Sequence, residues 1–204
     1  FDTEFDDLQV NTFTPSGTLI VQRVTNAAKA TSSGLEIDFR YAANEWLQLG
    51  GAWSFQSVEY DSFANGTCTI ASGLASPCNQ SGQSLPNAPD WGGVMYADIS
   101  KPVSSTMNFV ANLSVSLSDD HFTDGSGEPA GLQDSWTKID ARVGVEAADG
   151  RWSLALVGRN RGDEEVLSAS QSCFNRGFAP TYLGDLAPPR TISLQGSSRL
   201  SLKP

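Results

Sequence analysis

The chain has 204 residues, with 23 Asp and Glu against 13 Lys and Arg and a formal net charge of −10. That balance excludes nucleic acid as a partner, because phosphate binding needs a basic footprint. Only 39% of the residues are hydrophobic and no apolar run reaches the roughly 18–20 residues of a membrane helix, yet barrel strands of about 10 residues with every second one apolar leave no such run and stay open.

Period-two alternation predicts strands over 2–13, 18–42, 45–60, 90–100, 106–118, 135–147, 151–167 and 189–202, and no segment has the 3.6-residue period of an amphipathic helix. The opening FDTEFDDLQVNTF is already strand-like, with no signal peptide ahead of it, as expected of a mature chain or of a piece of a longer parent. In the second strand Leu35, Ile37, Phe39 and Tyr41 alternate with Glu36, Asp38 and Arg40. Two settings satisfy such a strand: a protein core on one side and bulk water on the other, or lipid on one side and an aqueous lumen on the other. The same period returns in Met107, Phe109, Ala111, Leu113, Val115 and Leu117, in Ile139, Ala141, Val143 and Val145, and in Trp152, Leu154 and Leu156.

The connections sort by length. AANE (42–45), KPVSS (101–105) and AADGR (147–151) are short, whereas 61–89, 119–134 and 168–188 are long. Short and long alternate, so the long connections all emerge at one end of the sheet; TPSG (14–17) belongs to that end but is short. A sandwich with Greek-key crossings has no reason to sort its loops this way, while an up-and-down outer-membrane barrel does. Aromatic belts are expected from Trp91 and Trp152, which share the apolar parity, whereas Trp46, Trp136 and Phe122 fall on the other.

Candidate chemistry is sparse. Cys68 and Cys78 in CTIASGLASPC suit a loop disulfide in an oxidising compartment, with Cys173 left over. His121, the lone histidine, stands near Asp119, Asp120, Asp124 and Glu128; these types can hold a cation, but the stretch reads as a solvated acidic loop. No G-x-S-x-G elbow exists, and the adjacent pairs Asp6/Asp7 and Glu164/Glu165 point to opposite faces of a strand. No catalytic set, metal site or cofactor is expected. The sequons at Asn65, Asn79 and Asn112 read as chance, since Asn112 lies mid-strand on the polar parity.

Four patches carry a family resemblance. NAAKATSSGLEIDFRYA (26–42), GQSLPNAPDWGGVMYADI (82–99), SWTKIDARVGVEAADGRWSLALVGRNRGDEE (135–165, with Asn160 and Asp163 as an Asn-x-x-Asp ending) and PPRTISLQGSSRL (188–200) resemble, in order, late barrel strands of TonB-dependent outer-membrane receptors. One departure is Leu200, followed by SLKP, where the family's closing strand ends on an aromatic residue.

The resemblance implies an all-β, antiparallel up-and-down transmembrane barrel segment, about eight strands of a barrel of about 22, in the bacterial outer membrane. Residues 1–204 would be the C-terminal portion of that barrel, without the plug domain. The implied partners are the plug of the same parent chain, the TonB system acting through it, outer-membrane lipid and a small nutrient such as a siderophore or carbohydrate. Glu36, Asp38 and Arg40, with Lys138, Asp140 and Arg142, would line the lumen, and loop aromatics Phe174, Phe178 and Tyr182 would meet the ligand. Two rivals remain open here, a secreted carbohydrate-binding β-sandwich and a self-closed eight-stranded anchor barrel, and strand order separates them.

Overall fold

The computed structural model describes residues 1–16, 19–74, 76–173 and 181–199. In chain order these form β1 (Asp2–Ser16), β2 (Leu19–Asn44), β3 (Leu47–Ser62), β4 (Trp91–Pro102), β5 (Met107–Ser118), β6 (His121–Phe122), a single 3₁₀ turn (Pro129–Gly131), β7 (Leu132–Gln133), β8 (Trp136–Ala147), β9 (Trp152–Arg159), β10 (Leu167–Cys173), β11 (Thr181–Leu186) and β12 (Thr191–Ser198). One eight-stranded antiparallel sheet runs β1-β2-β3-β4-β5-β8-β9-β12, and β6-β7 and β10-β11 are small ladders inside two of the long connections. No helix among the described residues is long and apolar enough to cross a membrane, which says nothing of crossing by strands.

Every wall strand pairs with the next wall strand in sequence. This meander overturns the sandwich, which needs crossings between two sheets. Among the described residues β1 and β12 are the two ends of the strand order and do not pair with each other, which overturns the self-closed barrel. The register rows also slide: Leu47 is the first residue of β3, yet its row passes through Ile99, Ala111 and Val143 to Leu156 and Leu194, inside β9 and β12. Such stagger accompanies strands tilted to a barrel axis.

Two expectations need correcting. The strand expected over 151–167 ends at Arg159, because Asn160 and Asp163 both take left-handed backbone, with φ of 50° and 58°, and fold the chain into a turn. The connection expected over 168–188 therefore starts earlier and contains the β10-β11 hairpin. At the other end β1 and β2 pair from Asp2↔Ser33 up to Ser16↔Leu19, while β3 joins β2 only from Lys29↔Ser62 downward, so this hairpin rises beyond the rest of the wall. Leu200 lies outside the described residues.

Glycines matter where aromatic rings press on the wall. A Cβ on Gly93 would collide with the Trp53 indole, and one on Gly50 with the Tyr96 ring. The two pairs lie on opposite faces of the sheet, each ring lying flat across a bare stretch of neighbouring strand.

Candidate functional site

Directly opposed residues of an antiparallel ladder share a face, so the register assigns both sides of the wall. One side carries Leu35, Phe39, Leu49, Met95, Leu113, Val143, Leu156 and Leu194. These side chains are exposed, Leu35 at 57% and Leu194 at 71%. Burying one large aliphatic side chain is worth about 1.5–3 kcal/mol, so a whole face of them calls for an apolar medium. On this face Trp53 stacks on Trp91 at 6.1 Å and on Phe55 at 6.4 Å, an aromatic belt near the loop end. Parity could have revealed Trp53 and Phe55 as its members.

The opposite face holds Glu36, Asp38 and Arg40 on β2 and Lys138, Asp140 and Arg142 on β8, with Gln48, Tyr96, Asp98, Asn112 and Ser114 between them. The two charged triplets are four strand steps apart, roughly 19 Å at about 4.8 Å per step, so they form separate groups. Asn112 donates to Asp98 Oδ1 at 2.7 Å and Lys138 Nζ lies 5.1 Å from the Trp136 ring. Asp140 Oδ1 accepts the Asn160 backbone N–H at 2.7 Å, which ties its carboxylate to the turn that ends β9.

That turn is a latch. Asn160, only 4% exposed, donates through Nδ2 to the carbonyls of Glu164 and Pro188 and accepts the Glu164 N–H on Oδ1. Asp163 accepts the Arg190 N–H and pairs with its guanidinium at 3.2 Å. The Asn-x-x-Asp motif and the Pro-Pro-Arg-Thr start of β12 are thus one hydrogen-bonded unit.

At the loop end the long connections pack on one another. The return limb of the 63–90 connection runs back along the top of β3, through Tyr60 N–H to Gln83 O, Leu85 N–H to Val58 O and Gln56 N–H to Asp90 O. Cys68 and Cys78 are disulfide-bonded with Cα atoms 5.1 Å apart, beside the paired backbones of Gly66 and Cys78. The side chain of Cys173 lies outside the described residues. Closing a loop of this length removes about 2–3 kcal/mol of unfolded-state entropy. Replacing both cysteines by serine is therefore expected to open the segment between them to protease while the wall keeps its heat resistance, which limited proteolysis with mass mapping reads directly.

Glu128 ties three connections together. It is 1% exposed, accepts the Ile70 N–H on Oε2 at 2.6 Å and accepts the Tyr182 hydroxyl on Oε1 at 3.1 Å. Desolvation, followed by the Glu128 carboxylate, raises the Tyr182 phenol above its ordinary pKa. Thr123 Oγ1 donates to Ser170 Oγ at 2.7 Å, and the Leu167 N–H donates to Gln133 Oε1. Tyr182, expected to face ligand, keeps an exposed ring while its hydroxyl braces the loops through Glu128; Phe174 and Phe178 lie outside the described residues. The His121 group does not converge: His121 Nδ1 lies 3.2 Å from Asp119 O, Asp124 binds Ser126, and Glu128 is engaged elsewhere.

Between the β1-β2 hairpin, the end of β3 and these loops lies a half-open cavity of about 560 Å³. Tyr60 and Phe63, both buried with ring centroids 4.9 Å apart, form an apolar side with Leu8, Val10 and Leu85. Gln80 and Asp124 are among its polar residues. Tyr60 and Ala30 oppose each other on the parity of Glu36 and Asp38, so the cavity continues the polar face upward. Sequence reading missed Tyr60, Phe63 and Gln80 as residues of this cavity, and missed the burial of Glu128 beside it.

The family model described as TonB dependent receptor-like, beta-barrel matches residues 1–160. The ferric yersiniabactin uptake receptor FyuA from Yersinia pestis is similar in structure, with TM-score 0.69 and 16% identity over 96% of this chain and 26% of that one. The siderophore receptor PiuA from Acinetobacter baumannii gives TM-score 0.65 and 14% identity, covering 96% and 24%. The closed form of the ferric-catecholate import receptor Fiu from K12 E. coli gives TM-score 0.56 and 15% identity, again covering 96% and 24%. The chain thus spans about a quarter of the length of these solved receptors. No curated protein sequence matches it significantly. With an eight-stranded meander and the family model matched over most of its length, the chain belongs to the TonB-dependent receptor-like β-barrel family, whose members are transport receptors of the Gram-negative outer membrane rather than enzymes.

Proposed function

We propose that this chain is the C-terminal part of a larger closed barrel of about 22 strands, whose parent takes up a scarce nutrient with energy delivered by the TonB system through a plug domain. The observation that carries this reading is the open wall. Among the described residues, β2 pairs with β3 alone from Leu35 to Asn44, since the β1 register begins at Asp2↔Ser33, and β12 pairs with β9 alone. In hydrocarbon each unsatisfied backbone group costs several kcal/mol, which soon exceeds the roughly 5–15 kcal/mol margin of a domain. Further strands of the parent would satisfy these edges. The polar face, with Glu36, Asp38, Arg40, Lys138, Asp140 and Arg142, then lines the lumen and holds the plug through mixed charges, while the cavity among the loops is where nutrient first docks. The names of the similar receptors support iron chelates as one candidate nutrient class, and carbohydrates are the other.

The test is growth under limitation. A strain lacking the parent gene is expected to lose growth on one scarce nutrient, either an iron chelate or a saccharide, and removal of TonB is expected to copy that loss. A parent deletion that grows normally in every such medium, or a loss that TonB removal does not reproduce, contradicts the reading.

A further inference from the structure

Given an apolar face that meets lipid, we propose that the loop-side corner of β9 holds a phosphate of the outer-leaflet glycolipid, with Arg161, seated on Gly158, as the group that contacts it. Just past the end of β9 the Arg161 N–H donates to Ile139 O, and the side chain turns back onto the wall. A Cβ on Gly158 would lie 2.7 Å from Arg161 Cδ, 3.4 Å from Nε and 3.5 Å from Nη1, with no backbone atom nearby. The side chain that glycine lacks is thus the seat on which the arginine rests. Gly158 opposes Ala141 on β8 and Ile192 on β12. All three belong to the apolar face, and Ile192 is 62% exposed.

The depth of this seat follows from the strand. Gly158 is next to last in β9, at the end from which the long connections emerge, so it lies where hydrocarbon gives way to the outer headgroups. A long cationic side chain in that position lays its stem on apolar surface and brings its charge to the polar layer, since a charge left in hydrocarbon is costly. The glycolipid of a Gram-negative outer leaflet carries its phosphates in that layer. A guanidinium matches a phosphate with two parallel N–H donors, which an ammonium cannot do.

The charge is also uncommitted. Arg161 is exposed and forms no ion pair among the described residues. The carboxylates near it in the chain do not take it: Asp163 pairs with Arg190 at 3.2 Å, and neither Glu164 nor Glu165 forms an ion pair. Arg159, two residues earlier, opposes Thr191 on the polar parity. At this corner Arg161 is therefore the cation that remains for an anion arriving from the lipid side.

The experiment is site-specific photocrosslinking of the full-length parent in phosphatidylcholine vesicles doped with lipid A, either phosphorylated or dephosphorylated. p-Benzoylphenylalanine is placed at Ile192 beside the seat or, as a control, at Phe55 in the aromatic belt, and mass spectrometry identifies the lipid attached on illumination. Phosphorylated lipid A is expected to be captured at Ile192. At limiting lipid A, Arg161→Gln is expected to lower that yield about 10-fold or more, the loss of a charge-assisted contact. Gly158→Ala, which lifts the guanidinium off its seat while leaving it present, is expected to act in the same direction. Heat-shifted gel mobility confirms that both variants fold, and capture of lipid at Phe55 is expected to be unchanged in them. No lipid A adduct at Ile192, a yield indifferent to either folded variant, or equal capture of dephosphorylated lipid A overturns the assignment. So does loss of the adduct on adding inorganic phosphate, which would make the site one for soluble anions. Lipid captured at Phe55 reports the sidedness of the wall by itself, so failure at Ile192 alone is distinguishable from failure of that reading.

Discussion

Leu113→Arg in the full-length parent is expected to destabilise the folded barrel by about 2–4 kcal/mol, the cost of an arginine at the bilayer midplane, whereas Ser114→Arg next to it is expected to be nearly neutral. The two residues are adjacent in the middle of β5 and lie on opposite faces. Leu113 is exposed and opposes Ala97 and Ala141, a surface that meets acyl chains in this account. Ser114 opposes Tyr96 and Asp140 on the polar side, where an added guanidinium stays hydrated and faces a carboxylate. Urea titration of folding into lipid vesicles, read by heat-modifiable gel mobility, measures both. Equal costs for the two substitutions would mean that the two faces meet the same medium.

The second large effect concerns the latch at the end of β9. Asn160→Ala removes two hydrogen bonds donated by Nδ2 and one accepted by Oδ1, at a site that is almost fully buried. It also places alanine at a φ of 50°, a conformation asparagine tolerates better. At roughly 0.5–1.5 kcal/mol per net hydrogen bond plus the backbone strain, the expected loss is about 2–4 kcal/mol. Asn160→Gly separates the two contributions, because glycine accepts the backbone conformation but restores no hydrogen bond. Asn160→Asp retains the acceptor for Glu164 but sets a buried carboxylate oxygen against the carbonyls of Glu164 and Pro188, so it is expected to cost at least as much as alanine. Limited proteolysis within 161–190, beside the urea midpoint, shows whether the damage starts at the turn. Protease resistance equal to wild type in Asn160→Ala would contradict the latch.

The wall was legible in the sequence because a membrane barrel displays its period-two pattern on every strand. Leu35 to Tyr41 alternate with Glu36 to Arg40 on β2, and Met107 to Leu117 alternate with polar neighbours on β5. The sorting of short and long connections gave the meander. Strand 151–167 was overrun because hydrophobic alternation continues close to Asn160, and only the Asn-Arg-Gly-Asp composition marks the turn; the left-handed backbone that executes it is local chemistry rather than period.

The loop end was far less legible. Glu128 sits in an acidic run and reads as one more solvated carboxylate; its burial depends on Ile70 and Tyr182, which are distant in sequence. Gln80 carries no sequence signal at all, since its importance comes from the carbonyls of Thr67 and Ser126 closing around one end of its amide. Tyr182 was read as a residue for ligand because an aromatic side chain in a loop looks available; that its hydroxyl also joins Glu128 across 54 residues of chain left no mark in the sequence. Tertiary partners decide such roles, and periodicity does not report them.

The sidedness of the wall is tested most directly by spin labels placed one at a time in the lipid-reconstituted parent at Phe39, Phe109 and Leu154 on one face and at Asp38, Asn108 and Ser153 on the other. The account predicts that the first three relax with lipid-dissolved oxygen and are shielded from a water-soluble nickel complex, and that the second three show the reverse. Water-soluble relaxation at Phe39, Phe109 and Leu154, with no oxygen enhancement there, would contradict it.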